Sequence, residues 1–524
     1  PLEPRAALFQ WHGERRLMRA WLSTQTPSRA REDIAAALEL MPEQVHVVAT
    51  DVGGAFGGKA SVFIEDLMLA LAARRPDLQG RPLRWLATRG EDLLSGTHGR
   101  ASRLQGRLWL DDQGGIAALD AGLQFALGHW LPFSAAAPLR NTCRILPGPY
   151  RVGALQVKAE GRLSHAAPVG IYRGAGRPEA CILMERLVDE AARSRGLDPL
   201  DLRLATAWTG AELPRTLASG AWLDRCDPRA LLERAAVLFD YRARRRQQAP
   251  LTGLGIALYV EPCGQGGESV RLSALADGRF ELATGATAQG QGRETAYARI
   301  AAEALGCPDD WITVVHGDTA RCPAGIGALA SRSTAIGGSA ILAAARQLQR
   351  KLHEGQVLPC SVELFHETAN EAWASGCVML EMSIDRDTGE PRIGEIVWVD
   401  DAGVIVHPEL VHGQLVGGLA QGLGQALMEQ LVYDDNGQLV TGSLMDYALP
   451  RASDMPVQIA IESLPVRSAA NELGAKGVGE AGCIGLPAAL LNAAHDALAP
   501  LGVRELDFPL TPARLWRAMQ DAAR

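Results

Sequence analysis

The stretch Gly474-Ala475-Lys476-Gly477-Val478-Gly479-Glu480-Ala481-Gly482 decides between two folds. Residues 477–482 match G-x-G-x-x-G, the fingerprint of a dinucleotide-binding fold, which needs an apolar strand before it. The preceding residues 469–476 read AANELGAK, which is not such a strand. The carboxylate of Glu480 would also repel a pyrophosphate. The run therefore favours a loop that presents an acid, because glycine lets a backbone approach bulky groups. A carboxylate stabilised by a helix dipole is the other interpretation of Glu480.

Composition limits the class of protein. The chain has 524 residues, which suits two or three domains. Its 52 basic and 60 acidic residues give a net charge of −8, and the basic residues are scattered, which argues against nucleic acid as a partner. We find no secretory signal and no apolar run of 18 residues, so the sequence predicts no membrane span.

The nine cysteines are spread singly and form no C-x-x-C. This pattern argues against zinc fingers, against a thioredoxin site and against an iron–sulfur cluster built by this chain alone. It suits a reducing compartment, so we expect a cytoplasmic protein.

Strand-like and helix-like segments alternate, which predicts an α/β (α+β) fold. Residues 45–49 read as a buried strand. Helices are predicted at 28–40, 61–74, 178–195, 342–352, 413–431 and 486–498, with another ending near 306. The polar, basic stretch 241–252 (YRARRRQQAPLT) is the best linker candidate. A charged surface loop within one domain is the alternative.

Glycine loops precede several of these helices. A helix N-terminus offers free N–H groups, and glycine lets a phosphate or an oxo group reach them. One such loop also suits an ordinary tight turn, but five or six indicate a large ligand with several phosphates. Amide and hydroxyl side chains lie beside the loops and could bind it, or could serve as caps: Gln25, Gln289, Gln291, Gln414, Gln421, Ser331, Ser333 and Thr334.

The segment Gly53–Lys59 (GGAFGGK) nearly matches the P-loop motif. The next residue is Ala60, where Ser or Thr should bind magnesium. A P-loop ATPase therefore stays as an alternative that lacks one essential group.

In their order along the chain, the loops resemble those of the large, molybdenum-binding subunit of the xanthine dehydrogenase and aldehyde oxidase family. A single match would be weak, but the ordered set is highly specific. The matching segments are Ser23–Gln25, Asp51–Lys59, Tyr172–Ala180, Gln289–Gly292, Ser331–Thr334, Gly413–Gln414 and Lys476–Glu480. The resemblance implies two elongated molybdopterin-binding domains, residues 1–245 and 246–524, with the cofactor between them. The hammerhead domain that normally precedes them is expected to be missing or to lie in another chain.

The resemblance also implies a cofactor and a site. The cofactor would be molybdenum with molybdopterin cytosine dinucleotide, without a protein ligand to the metal. Glu480 is similar to the catalytic base, and Gln25 to the residue that contacts a metal oxo group. Phe56, Gly174 and Ala175 would line the substrate pocket. The other implied cofactor contacts are Gly54, Phe56, Gly57, Arg173, Gln289, Gly290, Gln291, Gly292, Ser331, Ser333, Thr334, Gln414, Lys476, Gly477 and Gly479.

Such an oxidation releases electrons, so it requires partner subunits that accept them. Since the chain has no iron–sulfur motif, the resemblance implies an iron–sulfur subunit with 2Fe-2S clusters and an FAD subunit. A dimer of such heterotrimers is one expected assembly.

Departures from the family bear on the substrate. Gly174 stands where carbon monoxide dehydrogenases carry cysteine, which argues against a copper-dependent CO site. Ala60 replaces the glutamate of purine oxidisers, and Ala175 replaces a bulky aromatic of xanthine dehydrogenases. Val416 stands where a glutamate is common. We therefore expect a molybdenum hydroxylase acting on an aldehyde or an N-heteroaromatic compound, with a cofactor-free, inactive family member as a further alternative.

Overall fold

The structure is a computed structural model that describes residues 1–523. The sheets of the first half are built from nine strands. In chain order these are β1 Ala6–His12, β2 Leu17–Leu22, β3 Val45–Val48, β4 Leu83–Leu86, β5 Ser102–Leu110, β6 Ile116–Gly128, β7 Val152–Leu163, β8 Arg215–Thr216 and β9 Trp222–Leu223. They form sheets of order β3-β2-β1-β4 and β5-β6-β7 and the short pair β8-β9.

The second half contributes two four-stranded sheets. Their strands are β10 Thr252–Pro262, β11 Gly267–Ala274, β12 Phe280–Thr284, β13 Ile312–Val315, β14 Cys360–Glu367, β15 Trp373–Ile384, β16 Pro391–Asp401 and β17 Gln458–Ser463. The orders are β10-β15-β16-β17 and β13-β12-β11-β14. Both sheets mix antiparallel and parallel pairs.

Helices cover these sheets. They are α1 Pro27–Ala37, α2 Ile64–Ala73, α3 Arg89–Ser95, α4 Ala137–Ile145, α5 Arg177–Ser194, α6 Pro199–Thr206, α7 Pro228–Leu238, α8 Tyr241–Arg246, α9 Arg293–Leu305, α10 Gly338–His353, α11 Pro408–Leu427, α12 Ala481–Leu498 and α13 Pro512–Ala522. Within residues 1–523, no helix combines the length and the apolar character that a membrane crossing needs. The mixed layers confirm the predicted fold class.

Strand β10 lies at the centre of the molecule and is covered on both faces. Ile256 and Leu258 belong to one core, which they share with α5, α7 and β6. Ala257 and Tyr259 point to the opposite core, which contains α11 and α12. Burial on both faces explains why residues 253–260 of the strand are apolar instead of alternating.

Helix α12 lies close to this strand because the contact residues are small. A side chain at Gly255 would place its Cβ 2.8 Å from the carbonyl carbon of Ala489, so only glycine fits there. Every residue of α12 is buried. The packing fixes the start of the helix, and therefore the loop before it, relative to the end of β10.

Segment 241–252, the candidate linker, begins with helix α8. Arg244 and Arg245 of this helix form ion pairs with Glu395 and Asp496, 2.5 Å and 2.6 Å apart. Cores of the molecule also contain residues from both sides of the segment. The domain boundary at 245/246 stays a prediction.

Candidate active site

Glu480 is the residue before α12, and its loop lies against the loop that contains Ser331. A Cβ at Gly477 would collide with the backbone carbonyl of Ser331, and one at Gly479 would lie 2.8 Å from Ser331 Oγ. These two glycines therefore allow the close approach of the two loops. No strand of residues 1–523 leads into this G-x-G-x-x-G run, so it is not a dinucleotide-binding turn.

The two carboxylate oxygens of Glu480 differ in their surroundings. Oε1 accepts a hydrogen bond from the Gly174 N–H at 3.0 Å. Oε2 lies 3.4 Å from Arg177 Nη1 and, among residues 1–523, has no hydrogen-bond partner although it is buried. The side chain as a whole is 8% exposed. One oxygen is thus fixed, and the other is left for a proton donor.

The partner loop of Glu480 owes its shape to small residues. Gly174, Ala175 and Gly176 all have positive φ angles, of 105°, 34° and 91°. A Cβ at Gly174 would lie 2.7 Å from Pro178 Cγ, which excludes a larger residue there. The turn directs the Gly174 N–H to Glu480 and leads directly into α5, whose first residue is Arg177.

Arg173 joins three parts of the site. Its Nη1 donates to Gln421 Oε1 at 3.0 Å, and its Nη2 donates to Gln414 Oε1 at 3.1 Å, both on α11. Its Nε donates to the carbonyl of Gly479. Its backbone N–H donates to the Phe56 carbonyl at 2.9 Å. The guanidinium therefore holds the loop of the acid, α11 and the loop of Phe56 together.

Of the three predicted pocket residues, Phe56 is the most open to solvent, at 39%. Its ring centroid lies 5.6 Å from the Arg173 guanidinium carbon. A Cβ at Gly54 would lie 2.8 Å from the same ring. Ala175 is buried, and its carbonyl accepts from Asn141 Nδ2 at 2.9 Å. Gly174 contacts Glu480 directly, and Phe56 is joined to the Gly174 loop through Arg173. The role of the three as pocket residues stays a prediction.

Gln25 is buried and connects the first-half loop to the second half. Its Oε1 accepts from the Gly57 N–H at 3.1 Å, and its Nε2 donates to the Ala328 carbonyl at 2.6 Å. Its own carbonyl accepts from Thr287 Oγ1 at 3.2 Å. The predicted metal-side amide therefore lies next to the predicted Gly57 loop.

The Gln289–Gly292 loop forms a compact turn before α9. Gln291 Nε2 donates to the Thr287 carbonyl at 3.3 Å, and the Gln289 N–H donates to Gln291 Oε1 at 2.5 Å. Gly290 and Gly292 have φ angles of 91° and 74°. The turn is followed directly by the first turn of α9, whose backbone N–H groups have no partner within the helix.

Two buried guanidinium groups lie near the start of α9: that of Arg293, its first residue, and that of Arg332, which precedes the Ser333 that Arg293 contacts. Arg293 is 3% exposed, and its Nη2 donates to Ser333 Oγ at 2.5 Å. Its Nε and Nη1 are buried without a hydrogen-bond partner among residues 1–523. Arg332 pairs with Glu268 at 2.8 Å. The buried carboxylate of Glu268 thus faces two buried cations, Arg293 and Arg332. Thr334, also predicted as a contact, lies in the π-helical turn Ser333–Gly337.

The structure does not bring the Lys476 side chain to this group. Its ammonium is buried and binds Asp401 Oδ2 at 2.5 Å and the Arg225 carbonyl at 2.6 Å. Lys59, the lysine of the P-loop-like segment, is buried in an ion pair with Glu3. A phosphate-binding P-loop lysine must be free to reach its ligand, so this geometry argues against the ATPase alternative.

Sequence reasoning missed three side chains of the site. Glu261 at the end of β10, Arg177 and Arg293 were not predicted as functional residues. The signal for Glu261 was present, because it is an acidic residue in an otherwise apolar strand. Within residues 1–523, no cluster of His, Cys, Asp and Glu could hold a metal ion.

Comparison with known proteins identifies the class. A model of the molybdopterin cofactor-binding domain matches residues 1–207, and a second model with the same description matches residues 234–363 and 356–456. The large subunit of nicotine 6-hydroxylase from Paenarthrobacter nicotinovorans is 28% identical over 99% of this chain and 71% of its own. Subunit gamma of the 6-hydroxypseudooxynicotine dehydrogenase complex from the same organism is 30% identical over 99% of this chain and 72% of its own.

Solved structures agree with these matches. Quinoline 2-oxidoreductase from Pseudomonas putida 86 superposes with a TM-score of 0.94 and 28% identity, over 99% of this chain and 74% of that chain. Fold and domain models together define a molybdopterin-binding protein. The chain belongs to the molybdopterin-binding large subunits of the xanthine dehydrogenase and aldehyde oxidase family, which are molybdenum-containing oxidoreductases. This confirms the predicted family.

Proposed function

We propose that the chain is the catalytic subunit of a molybdenum hydroxylase that inserts water-derived oxygen into a C–H bond of an aldehyde or an N-heteroaromatic substrate. The observation that carries the proposal is the carboxylate of Glu480, with one oxygen fixed by Gly174 and the other buried without a partner. A buried polar atom left unpaired is costly. Such an oxygen is suited to accept a proton from a reacting group.

The residues around Glu480 fit a molybdenum–pterin group. The Gln25, Phe56 and Gln289 segments supply neutral amides and backbone N–H groups, and such groups can bind oxo groups and pterin nitrogens. Because these loops are rich in glycine, fewer side chains occupy the space that the molybdenum–pterin group would fill. Gln25, Phe56, Gly57, Gln289–Gly292, Ser331, Ser333, Thr334 and Gln414 would hold the group.

Arg293 supports a phosphate group of the cofactor at this place. Its two unpaired nitrogens, the extra positive charge beside Arg332 and Glu268, and the first turn of α9 favour an anion at this place. The phosphates of molybdopterin cytosine dinucleotide supply such a charge.

The chain's own residues would carry out the proton steps. When bound, the cofactor supplies a two-electron oxidant and a Lewis acid for the water whose oxygen enters the product. Glu480 takes the proton of that water at Oε2. Gly174 holds Oε1 in place, and Arg177 keeps a positive charge beside Oε2. For a substrate R–H, the balance is R–H plus water giving R–OH, two protons and two electrons.

The two electrons need an exit. Both P. nicotinovorans relatives are subunits of larger proteins by their names. We infer an iron–sulfur subunit with 2Fe-2S clusters as the first acceptor and an FAD subunit after it. Purification with these partners would recover them in a fixed ratio to this chain.

The test is analysis of the chain produced together with its partner subunits and cofactor-insertion factors. We expect about one molybdenum and about one released CMP per chain. Quinoline and benzaldehyde, each with an artificial dye as electron acceptor, then probe the two substrate classes. Absence of molybdenum would overturn the proposal and favour the cofactor-free alternative. Molybdenum without CMP would contradict the dinucleotide form alone.

A further inference from the structure

Glu261 occupies a place where a carboxyl group is costly. It is 0% exposed, and the strand before it is apolar. A buried carboxyl is kept only when other groups bind it. Its contacts therefore show what it does.

The Oε1 atom of Glu261 joins two loops. It accepts the backbone N–H of Glu480 at 3.1 Å and the Ser331 hydroxyl at 2.5 Å. Oε2 is buried and has no hydrogen-bond partner among residues 1–523. One atom thus binds the backbone of the acid and the loop against which that acid packs.

The two residues after Glu261 hold the same region. The Pro262 carbonyl accepts from Arg177 Nε at 3.2 Å and from Nη2 at 2.5 Å. Cys263 Sγ accepts the Gly477 N–H at 3.1 Å. The end of β10 therefore fixes the acid's loop at both Gly477 and Glu480, and also the arginine beside the carboxylate.

Burial and a neighbouring carboxylate favour the neutral form of Glu261. Burial, and next the negative charge of Glu480, raise the pKa of Glu261 to about 8, against the opposing effects of the hydrogen bond from Ser331 and of the charge of Arg177. Cys263, from its own strand, is buried, and burial raises the pKa of this thiol well above its usual value.

We propose that Glu261 is a positioning residue for Glu480: its Oε1 binds the Glu480 N–H and the Ser331 hydroxyl, and so fixes the base-bearing loop in its working position. This inference rests on the proposed function, in which Glu480 is the base. Glutamine has the shape of a neutral glutamic acid and keeps the accepting oxygen. Alanine keeps neither.

The experiment compares Glu261→Gln and Glu261→Ala in the complete, cofactor-loaded complex. Amide hydrogen exchange of residues 474–482 reports the loop without any substrate. We expect exchange in Glu261→Ala to be at least about tenfold faster than in the wild type, and Glu261→Gln to match the wild type. With quinoline or benzaldehyde, kcat of Glu261→Ala should fall roughly ten- to a hundredfold at unchanged KM, and Glu261→Gln should stay within about threefold.

Two further variants separate the possible failures. Asp400→Asn removes another buried carboxyl, which binds Tyr259 two residues before Glu261, and should leave exchange of residues 474–482 unchanged. Glu480→Gln tests the proposed function itself, because wild-type turnover in that variant would refute the base and not the positioning contact. The inference is overturned if Glu261→Ala shows wild-type exchange, if Glu261→Gln is as impaired as Glu261→Ala, or if Glu261→Ala loses molybdenum.

Discussion

Arg177 Nη1 lies 3.4 Å from Glu480 Oε2, the carboxylate oxygen that lacks a hydrogen-bond partner. The arginine is anchored on its other side by the Pro262 carbonyl, so its charge cannot move away. The buried carboxyl groups of Glu480 and Glu261 both interact electrostatically with this guanidinium. Because of this charge, this anchoring and the free oxygen, we propose the Arg177–Glu480 pair as the chemical centre of the chain.

Arg177→Gln should weaken both the fold and the chemistry. Loss of one partner of a buried pair typically costs about 3–5 kcal/mol, so the thermal unfolding midpoint should fall clearly, together with kcat. Arg195→Gln, at the exposed end of the same helix, is the matched control and should change neither. Equal midpoints for the two variants would contradict the role given to Arg177.

Arg293→Gln should reduce cofactor retention. Its unpaired guanidinium nitrogens are buried beside the first turn of α9, where we place the phosphates. Molybdenum and CMP per chain are the measurements, and Arg299→Gln, exposed on the same helix, is the control. Wild-type content of both in Arg293→Gln would remove Arg293 from the cofactor site.

The raised pKa of Glu261 predicts a dependence of stability on pH. The pKa is about 8 in the folded chain and 4.5 as the ordinary value, so between these pH values the folded state binds more protons than the unfolded state. The free energy of unfolding therefore falls as pH rises through this window and is then level above it. Glu261→Gln cannot titrate and escapes this loss.

The thermal midpoint of Glu261→Gln should accordingly rise relative to the wild type as pH goes from 5 to 8. Unfolding scans of both proteins at matched ionic strength measure the difference. A difference that stays constant over this range would show that Glu261 is already ionised at pH 5 in the folded chain.

The sequence predicted the α/β class and the loops of Arg173 and Ser331, which contact the loop of Glu480. Glycine runs and hydroxyl clusters before helices are local signals. The loop of Arg173 to Gly176 and that of Gly477 to Glu480 are in direct contact. The G-x-G-x-x-G match did not settle the function of its glycines. In the structure Gly477 and Gly479 make room for Ser331, a residue nearly 150 positions earlier.

The contacts that the sequence could not predict are made with residues far away in the chain. Lys476 lies in the same motif as Glu480, yet its ammonium binds Asp401. No sequence pattern around Arg293 indicates a function, because its role depends on the charges of Arg332 and Glu268, which are distant from it in the chain. Glu261 differs from any strand-end acid only through its contact with Glu480, 219 residues away.

The most direct test of the account is the turnover of Glu480→Gln in the cofactor-loaded complex, measured together with its molybdenum and CMP content. Glutamine can still accept from Gly174 but cannot take a proton at neutral pH. We expect wild-type metal and CMP content and a kcat lower by about 10²–10⁴-fold, the usual contribution of a general base. Wild-type kcat at full cofactor content would contradict the central claim that Glu480 is the base.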